Sequence, residues 1–132
     1  MKYILFTFLF VFSCTSHSDN HPTDLIDNNA QISVENNIFD FGEIVQGEII
    51  TATFKISNPS SSDLIITNVR SSCGCTTSNL KKDLLKAGEE EIIEVTFNSK
   101  NKIGKQEKTV SLLTNAIPNT TILTIKGNVI IP

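Results

Sequence analysis

Along this chain the hydrophobic pattern changes twice. From Tyr3 to Ser13 it is an uncharged run rich in Phe, Leu, Ile and Val, and from Thr15 to Asn29 it is polar with no sustained apolar period. From Ala30 onward, apolar and polar residues alternate with a period of two, the signature of half-buried strands. The segment Ile49 to Ser57 is the clearest: Ile50, Ala52, Phe54 and Ile56 alternate with Thr51, Thr53, Lys55 and Ser57. One face is apolar and the other wet, as in an antiparallel sheet covered on one side.

Turn residues at Asn58-Pro59-Ser60-Ser61-Ser62 end that strand, and Asp63 to Arg70 resumes the pattern. Glu91 to Asn98 places Ile93, Val95 and Phe97 on one face against Ile92, Glu94 and Thr96. Lys108 to Thr114 and Thr121 to Ile130 give two further strands around the turn Asn115 to Asn119. Gln31 to Glu35 and Phe39 to Val45 give one or two short strands around Asn36-Asn37. Helix signals are nearly absent, and Ser78 to Leu85 reads as a loop. The expected fold is all-β: a single immunoglobulin-like β-sandwich of about seven antiparallel strands over residues 30–132.

The opening of the chain points to export. Lys2 supplies a minimal positive charge ahead of the apolar run. That run of about eleven residues is short of the roughly 17–25 that a transmembrane helix needs, and matches the core of a signal peptide. Val11, Ser13 and Cys14 fit a bacterial lipobox, with Phe12 bulkier than usual. The expected organisation is a signal peptide over 1–13, a lipidated Cys14 with a polar tether over 14–29, and the sandwich domain. The partner at this end is the lipid bilayer, held through acylated Cys14. The location is the cell envelope, on the periplasmic or outer-membrane face.

Composition narrows the functions. Loss of Lys2 with the leader takes the net charge from −3 to −4, because every acidic residue lies beyond Cys14. A mildly acidic chain has no electrostatic basis for holding nucleic acid. Trp is absent, and the only Tyr, Tyr3, lies in the leader. Phe39, Phe41, Phe54 and Phe97 fall at positions that look buried, which leaves no exposed platform for stacking sugars or bases. Both histidines, His17 and His21, lie in the polar tether, where Pro22 argues against a helical metal site. Without His in the domain no Ser-His-Asp or Cys-His arrangement can be built. Asp40, Asp63, Asp83 and the run Glu89-Glu90-Glu91 read as solvated turns and faces. The expectation is a protein that is not an enzyme and carries no cofactor.

Several segments together resemble a known family. Phe39-Asp40-Phe41-Gly42-Glu43-Ile44, Gly47-Glu48 and Phe54-Lys55-Ile56-Ser57-Asn58 open like bacterial immunoglobulin-like domains of the major-sperm-protein, ASH and PapD kind. Ser72-Cys73-Gly74-Cys75-Thr76-Thr77 resembles the signature of a domain of unknown function common in Bacteroidota and Planctomycetes. Ala87-Gly88-Glu89, Val95-Thr96-Phe97, Lys108-Thr109-Val110, Thr114-Asn115 and Ile125-Lys126-Gly127-Asn128-Val129 continue the match, which covers roughly Asn37 to Val129. The chain departs at Ser78-Asn79-Leu80, where relatives often have Pro and an aromatic, and at Ala87, where they tend to have Pro. The resemblance implies a secreted or lipid-anchored module and brings no agreed activity.

The concentrated chemistry of the domain is Cys73-Gly74-Cys75. Three readings stand: packed thiols acting as small hydrophobes, a disulfide across one residue, or a soft-metal pair suited to Cu(I). A disulfide closing so small a ring is expected to be tight and easily reduced. Zinc is disfavoured, since a closed site needs four ligands. The leading function is a displayed binding or scaffolding module that meets envelope proteins at its sheet edges. The alternative is a copper-handling or thiol-redox protein using Cys73 and Cys75.

Overall fold

The computed structural model describes residues 29–132. The leader 1–13, Cys14, and His17 and His21 of the tether lie outside the described residues.

Within them the chain forms β1 (Ser33–Val34), β2 (Ile38–Val45), β3 (Ile49–Ser57), β4 (Leu64–Ser71), β5 (Thr76–Leu80), β6 (Leu84–Leu85), β7 (Glu90–Asn98), β8 (Gly104–Thr114) and β9 (Thr120–Ile130). They make a four-stranded sheet in the order β1-β3-β7-β5 and a five-stranded sheet in the order β2-β9-β8-β4-β6. The period-two residues fill the space between the sheets: Ala52, Phe54 and Ile56 from β3 meet Ile93 and Val95 from β7, with Val110, Leu112, Leu123 and Ile125 from the second sheet. Burying Phe54 or Phe97 contributes about 1.5–3 kcal/mol each. The fold is an all-β immunoglobulin-like sandwich.

Three expectations need correction. There are nine strands among the described residues rather than about seven, and they are not all antiparallel, because β2 runs parallel to β9. The chain pairs with β3 for only two residues in β1, turns at Asn36 and crosses to the other sheet as β2. The Asn36 side chain fixes that corner by accepting the Ile38 N–H at 3.1 Å. Ser78 to Leu85 is not a loop: it contains most of β5 and all of β6. In β5 Thr76, Ser78 and Leu80 take the covered face, and because two of the three are polar the sequence hides the alternation. The third correction is that β8 starts at Gly104 rather than Lys108: half-covered Gln106 and Lys108 alternate with exposed Lys105 and Glu107, and being polar they give no apolar signal.

The strand directions sort the loops onto two ends. Ala30, near the start of the described residues, lies beside the β3–β4 turn, where the Gln31 N–H donates to the Ser60 hydroxyl at 3.3 Å. At the opposite end lie the β2–β3 turn, the β4–β5 turn with Cys73 and Cys75, and the β7–β8 loop.

Candidate functional site

At the end opposite Ala30, segments that lie far apart in the chain meet. In β2 the register against β9 shifts between Asp40 and Glu43, so Phe41 and Gly42 together oppose Gly127. Gly42 takes φ +67°, a left-handed conformation that few residues other than Gly adopt readily, and this completes a β-bulge. The bulge turns Phe41 inward, where its ring stacks on Phe97 with centroids 5.6 Å apart. Gly127 lies directly under the Phe41 ring, and a Cβ there would also stand 2.7 Å from the Gly42 carbonyl oxygen. Ile44, Phe97 and Val129 form the small core at this end, with Phe41, Ile50 and Cys75 packed against it.

Cys73 and Cys75 cap this cluster as a disulfide with Cα atoms 5.3 Å apart. Both are half-buried, and Gly74 between them is exposed. The flanking backbone is held on both sides. Ser72 donates its N–H to the Thr109 carbonyl at 2.8 Å and accepts the Thr109 N–H on its hydroxyl at 3.0 Å. The Asn98 N–H donates to the Cys75 carbonyl at 2.9 Å, and the Thr76 N–H to the Cys73 carbonyl at 3.2 Å. The pair therefore sits where the chain passes from β4 in one sheet to β5 in the other.

The two sulfurs have unequal surroundings. The Cys75 N–H points at Cys73 Sγ at 3.2 Å. The Thr76 hydroxyl lies 3.6 Å from Cys73 Sγ and 3.9 Å from Cys75 Sγ. Thr76 is 3% exposed, so this hydroxyl is a buried polar group whose side-chain partners are sulfur atoms. With both sulfurs in the bond, neither offers the thiolate that copper would need. No group of three or more His, Cys, Asp or Glu side chains able to hold a metal occurs among the described residues.

As a structural staple the bond is weak. In the chain-entropy model a closed loop of three residues contributes about 1.6 kcal/mol, against about 3 for a fifteen-residue loop.

A shallow depression of about 480 Å³ opens on the outer face beside the bulge, lined by Asp40, Lys105, Glu107 and Lys126 over Gly42 and Gly127. Its charges alternate in sign, as on a solvated sheet face, and no ligand chemistry is read from it.

The sheet edges differ in how they are closed. On β2 the outward N–H of Val45 is taken by the Glu48 carboxylate at 2.6 Å, and Asp40 takes that of Gly42 at 2.9 Å. The β3 edge is open. Lys55 offers its carbonyl away from β7, to the Glu35 N–H at 3.2 Å, and β1 covers only Ile56 and Ser57. By the alternation of an antiparallel ladder, Ile49, Thr51 and Thr53 also turn their backbone groups away from β7.

Sequence reasoning singled out Cys73 and Cys75 but missed their neighbours. Phe41, Gly42 and Gly127 were noticed as motif residues without any sign that they touch. In sequence Thr76 stands only as a member of the Cys motif, with nothing to mark its hydroxyl as a neighbour of the sulfurs.

A family model described as protein of unknown function (DUF1573) matches residues 32–129. No curated protein matches the sequence. Among solved structures, a protein of unknown function from Porphyromonas gingivalis W83 is similar at TM-score 0.68 and 15% identity, over 83% of this chain and 51% of that one. This chain thus spans about half the length of that protein. The ASH/PapD-like domain 7 of human CEP192 is similar at TM-score 0.62 and 12% identity, over 80% and 89%. The VesB protease of Vibrio cholerae is similar at TM-score 0.60 and 16% identity, over 75% of this chain and 31% of that one. At these identities the likeness is one of fold.

Proposed function

This chain belongs to the DUF1573 family, and from that premise we propose that it is an exported, lipid-anchored immunoglobulin-like module that binds an envelope protein along the open edge of β3. The observation that carries the reading is the uncovered stretch from Ile49 to Thr53 in β3, a strand of nine residues of which β1 covers only Ile56 and Ser57. An incoming strand would satisfy the free backbone groups of Thr51 and Thr53, and main-chain hydrogen bonds supply affinity without Trp or Tyr. The neighbouring β2 edge is blunted by its own carboxylates, which directs pairing to β3. Cys14 holds the chain to the bilayer through its acyl groups, each buried CH₂ adding ~0.8 kcal/mol. A tether leaving at Ala30 would put the Cys73–Cys75 end of the sandwich farthest from the anchor. The role is binding rather than catalysis.

The test uses the full chain in its native envelope, with a photo-crosslinking side chain placed at Thr53 and, separately, at Lys126 on the opposite sheet. Adducts from Thr53 that are absent from Lys126 and lost on Thr51→Pro are expected. Equal adducts from both positions, or adducts indifferent to Thr51→Pro, overturn the edge reading. Cys14→Ser is expected to move the chain from the membrane fraction to the soluble one.

A further inference from the structure

We propose that Cys73 and Cys75 are an exchangeable redox pair that takes two electrons from the dithiol of another protein, with Cys75 Sγ the atom attacked and Cys73 the sulfur released. This stands apart from the β3 edge and holds whichever partner that edge meets.

Three observations converge on it. First, the bond has little structural work to do, because the backbone on either side is already fixed. Ser72 is tied to Thr109 on β8 and Cys75 to Asn98 on β7, so opening the bond leaves both ladders in place. Second, the buried Thr76 hydroxyl is aimed at the sulfurs. Disulfide sulfur is a poor acceptor, whereas a thiolate is a strong one, so this hydrogen bond improves when the pair is reduced. A group that gains on reduction favours the reduced state. Third, the donors are unequally shared. Cys73 Sγ receives the Cys75 N–H at 3.2 Å and the nearer approach of Thr76. Cys75 lies against the apolar cluster of Ile44, Phe97 and Val129. The sulfur with the better donors is the better leaving group, because charge develops on the released atom.

The exchange balances as follows. A thiolate of the partner attacks Cys75 Sγ, forming a mixed disulfide while the Cys73–Cys75 bond breaks. The electron pair of that bond goes to Cys73, which leaves as a thiolate held by the Cys75 N–H and the Thr76 hydroxyl. The partner's second thiolate then attacks its own sulfur in the mixed disulfide and releases Cys75. The partner ends with one new disulfide and two fewer protons, and Cys73 and Cys75 end as two thiols. Thr76 acts as a positioning residue: it stabilises the released sulfur without touching the partner.

The experiment begins with the full chain, oxidised, mixed with glutathione as a monothiol probe, then acid-quenched, alkylated and sequenced by fragmentation mass spectrometry. Glutathione on Cys75 with an alkyl group on Cys73, in a chain whose circular dichroism is unchanged, is the expected result. A peptide carrying two thiols should lose two hydrogens as the chain gains two. Thr76→Val should raise several-fold the thiol concentration needed for half reduction. It should also shift the alkylation of Cys73 in the reduced chain to higher pH, while Thr76→Ser keeps both near wild type. The proposal is overturned if the adduct forms on Cys73, or if the folded chain resists thiols that reduce an unhindered disulfide. It is equally overturned if Thr76→Val, still folded, changes neither the half-reduction point nor the pH profile.

Discussion

The ring of Phe41 in β2 occupies the space that a side chain at Gly127 in β9 would need, although the two residues lie in separate segments of the sequence. The contact exists because the β2 bulge opposes Phe41 and Gly42 to one residue of β9, and a side chain at that residue would collide with both. Gly127→Ala should therefore cost about 3 kcal/mol, the upper end of what overpacking costs. In a Phe41→Leu background the same change should cost less, since part of the obstruction is gone. Urea unfolding of the four proteins of that cycle measures the coupling, and simple additivity would separate the two residues.

Asn58 is fully buried at the end where Ala30 lies, and each of its side-chain polar atoms is used. Its amide nitrogen donates to the Ser62 carbonyl at 2.7 Å and the Leu85 carbonyl at 2.9 Å. Its amide oxygen accepts the Ser60 N–H at 3.0 Å and the Ser60 hydroxyl at 2.6 Å. Asn58→Ala takes a hydrogen-bond partner from the buried Leu85 carbonyl and should destabilise the fold by about 1–3 kcal/mol. Asn58→Asp keeps the acceptor but sets a carboxylate against two carbonyl oxygens. Its folded pKa is thereby raised, so its deficit should be largest at neutral pH and shrink as acid protonates the group. Thermal melts of both variants across pH distinguish the two mechanisms.

What the sequence conveyed and what it withheld divide along physical lines. Ile50, Ala52, Phe54 and Ile56 announce β3 because one face is apolar without interruption, and the structure buries that face. By contrast, Thr76 to Leu80 forms a strand through pairing with β7, and its own residues carry almost no hydrophobic alternation. The parallel partnership of β2 with β9 was equally hidden, since period-two alternation does not encode which strand is a neighbour or in which direction. The site was half legible. Cysteines separated by one residue are visible in any sequence, but the hydroxyl facing their sulfurs and the Phe41–Phe97 stack exist only once the two sheets close. Asn58 shows the same gap: in sequence it is a turn former, while in the fold it ties the β3–β4 turn to β6.

Glu89 gives a direct titration test. Its carboxylate accepts a hydrogen bond from Lys82 Nζ at 2.9 Å and another from the Lys86 N–H at 2.7 Å. These hold its pKa below the ordinary glutamate value, the Lys82 hydrogen bond first, then the Lys86 backbone, with nearby lysine charge adding to both. A depressed folded pKa means that the contribution to stability is present above the unfolded value and is lost as pH falls through the folded one. Carboxyl NMR should show Glu89 titrating below the ordinary glutamate value, and Lys82→Ala should move it upward. An unmoved midpoint in that variant would transfer the effect to the Lys86 backbone.

Removing the disulfide should cost little stability. The loop-closure model gives about 1.6 kcal/mol for three residues, against the 2–5 kcal/mol that structural disulfides of small secreted domains typically supply. The Cys73→Ser, Cys75→Ser double variant should therefore fold, with a midpoint in urea only modestly lowered. A loss well beyond about 3 kcal/mol would make the bond a structural staple, because Ser72 and Cys75 would then depend on it for their ladder positions.

The open edge of β3 predicts an asymmetry between adjacent residues. Thr53 faces its N–H away from β7, as the Lys55 carbonyl does where it meets Glu35. Proline at Thr53 removes no ladder hydrogen bond and is the kind of substitution an edge strand tolerates. Ala52, fully buried, sends its N–H to β7, and proline there breaks the ladder and crowds the core between Phe54 and Val95. Thr53→Pro should leave the domain folded, with a stability change of about 1 kcal/mol or less, while Ala52→Pro should abolish folding. Hydrogen exchange supplies the complementary reading in the wild-type chain. The Thr51 and Thr53 amides should exchange quickly when the protein is alone and become protected when a strand-forming partner is bound. The Ala52 and Phe54 amides, already paired with β7, should be slow in both states. If Thr51 and Thr53 are protected in the isolated protein, the edge is already occupied, and the partner strand must be sought within this chain.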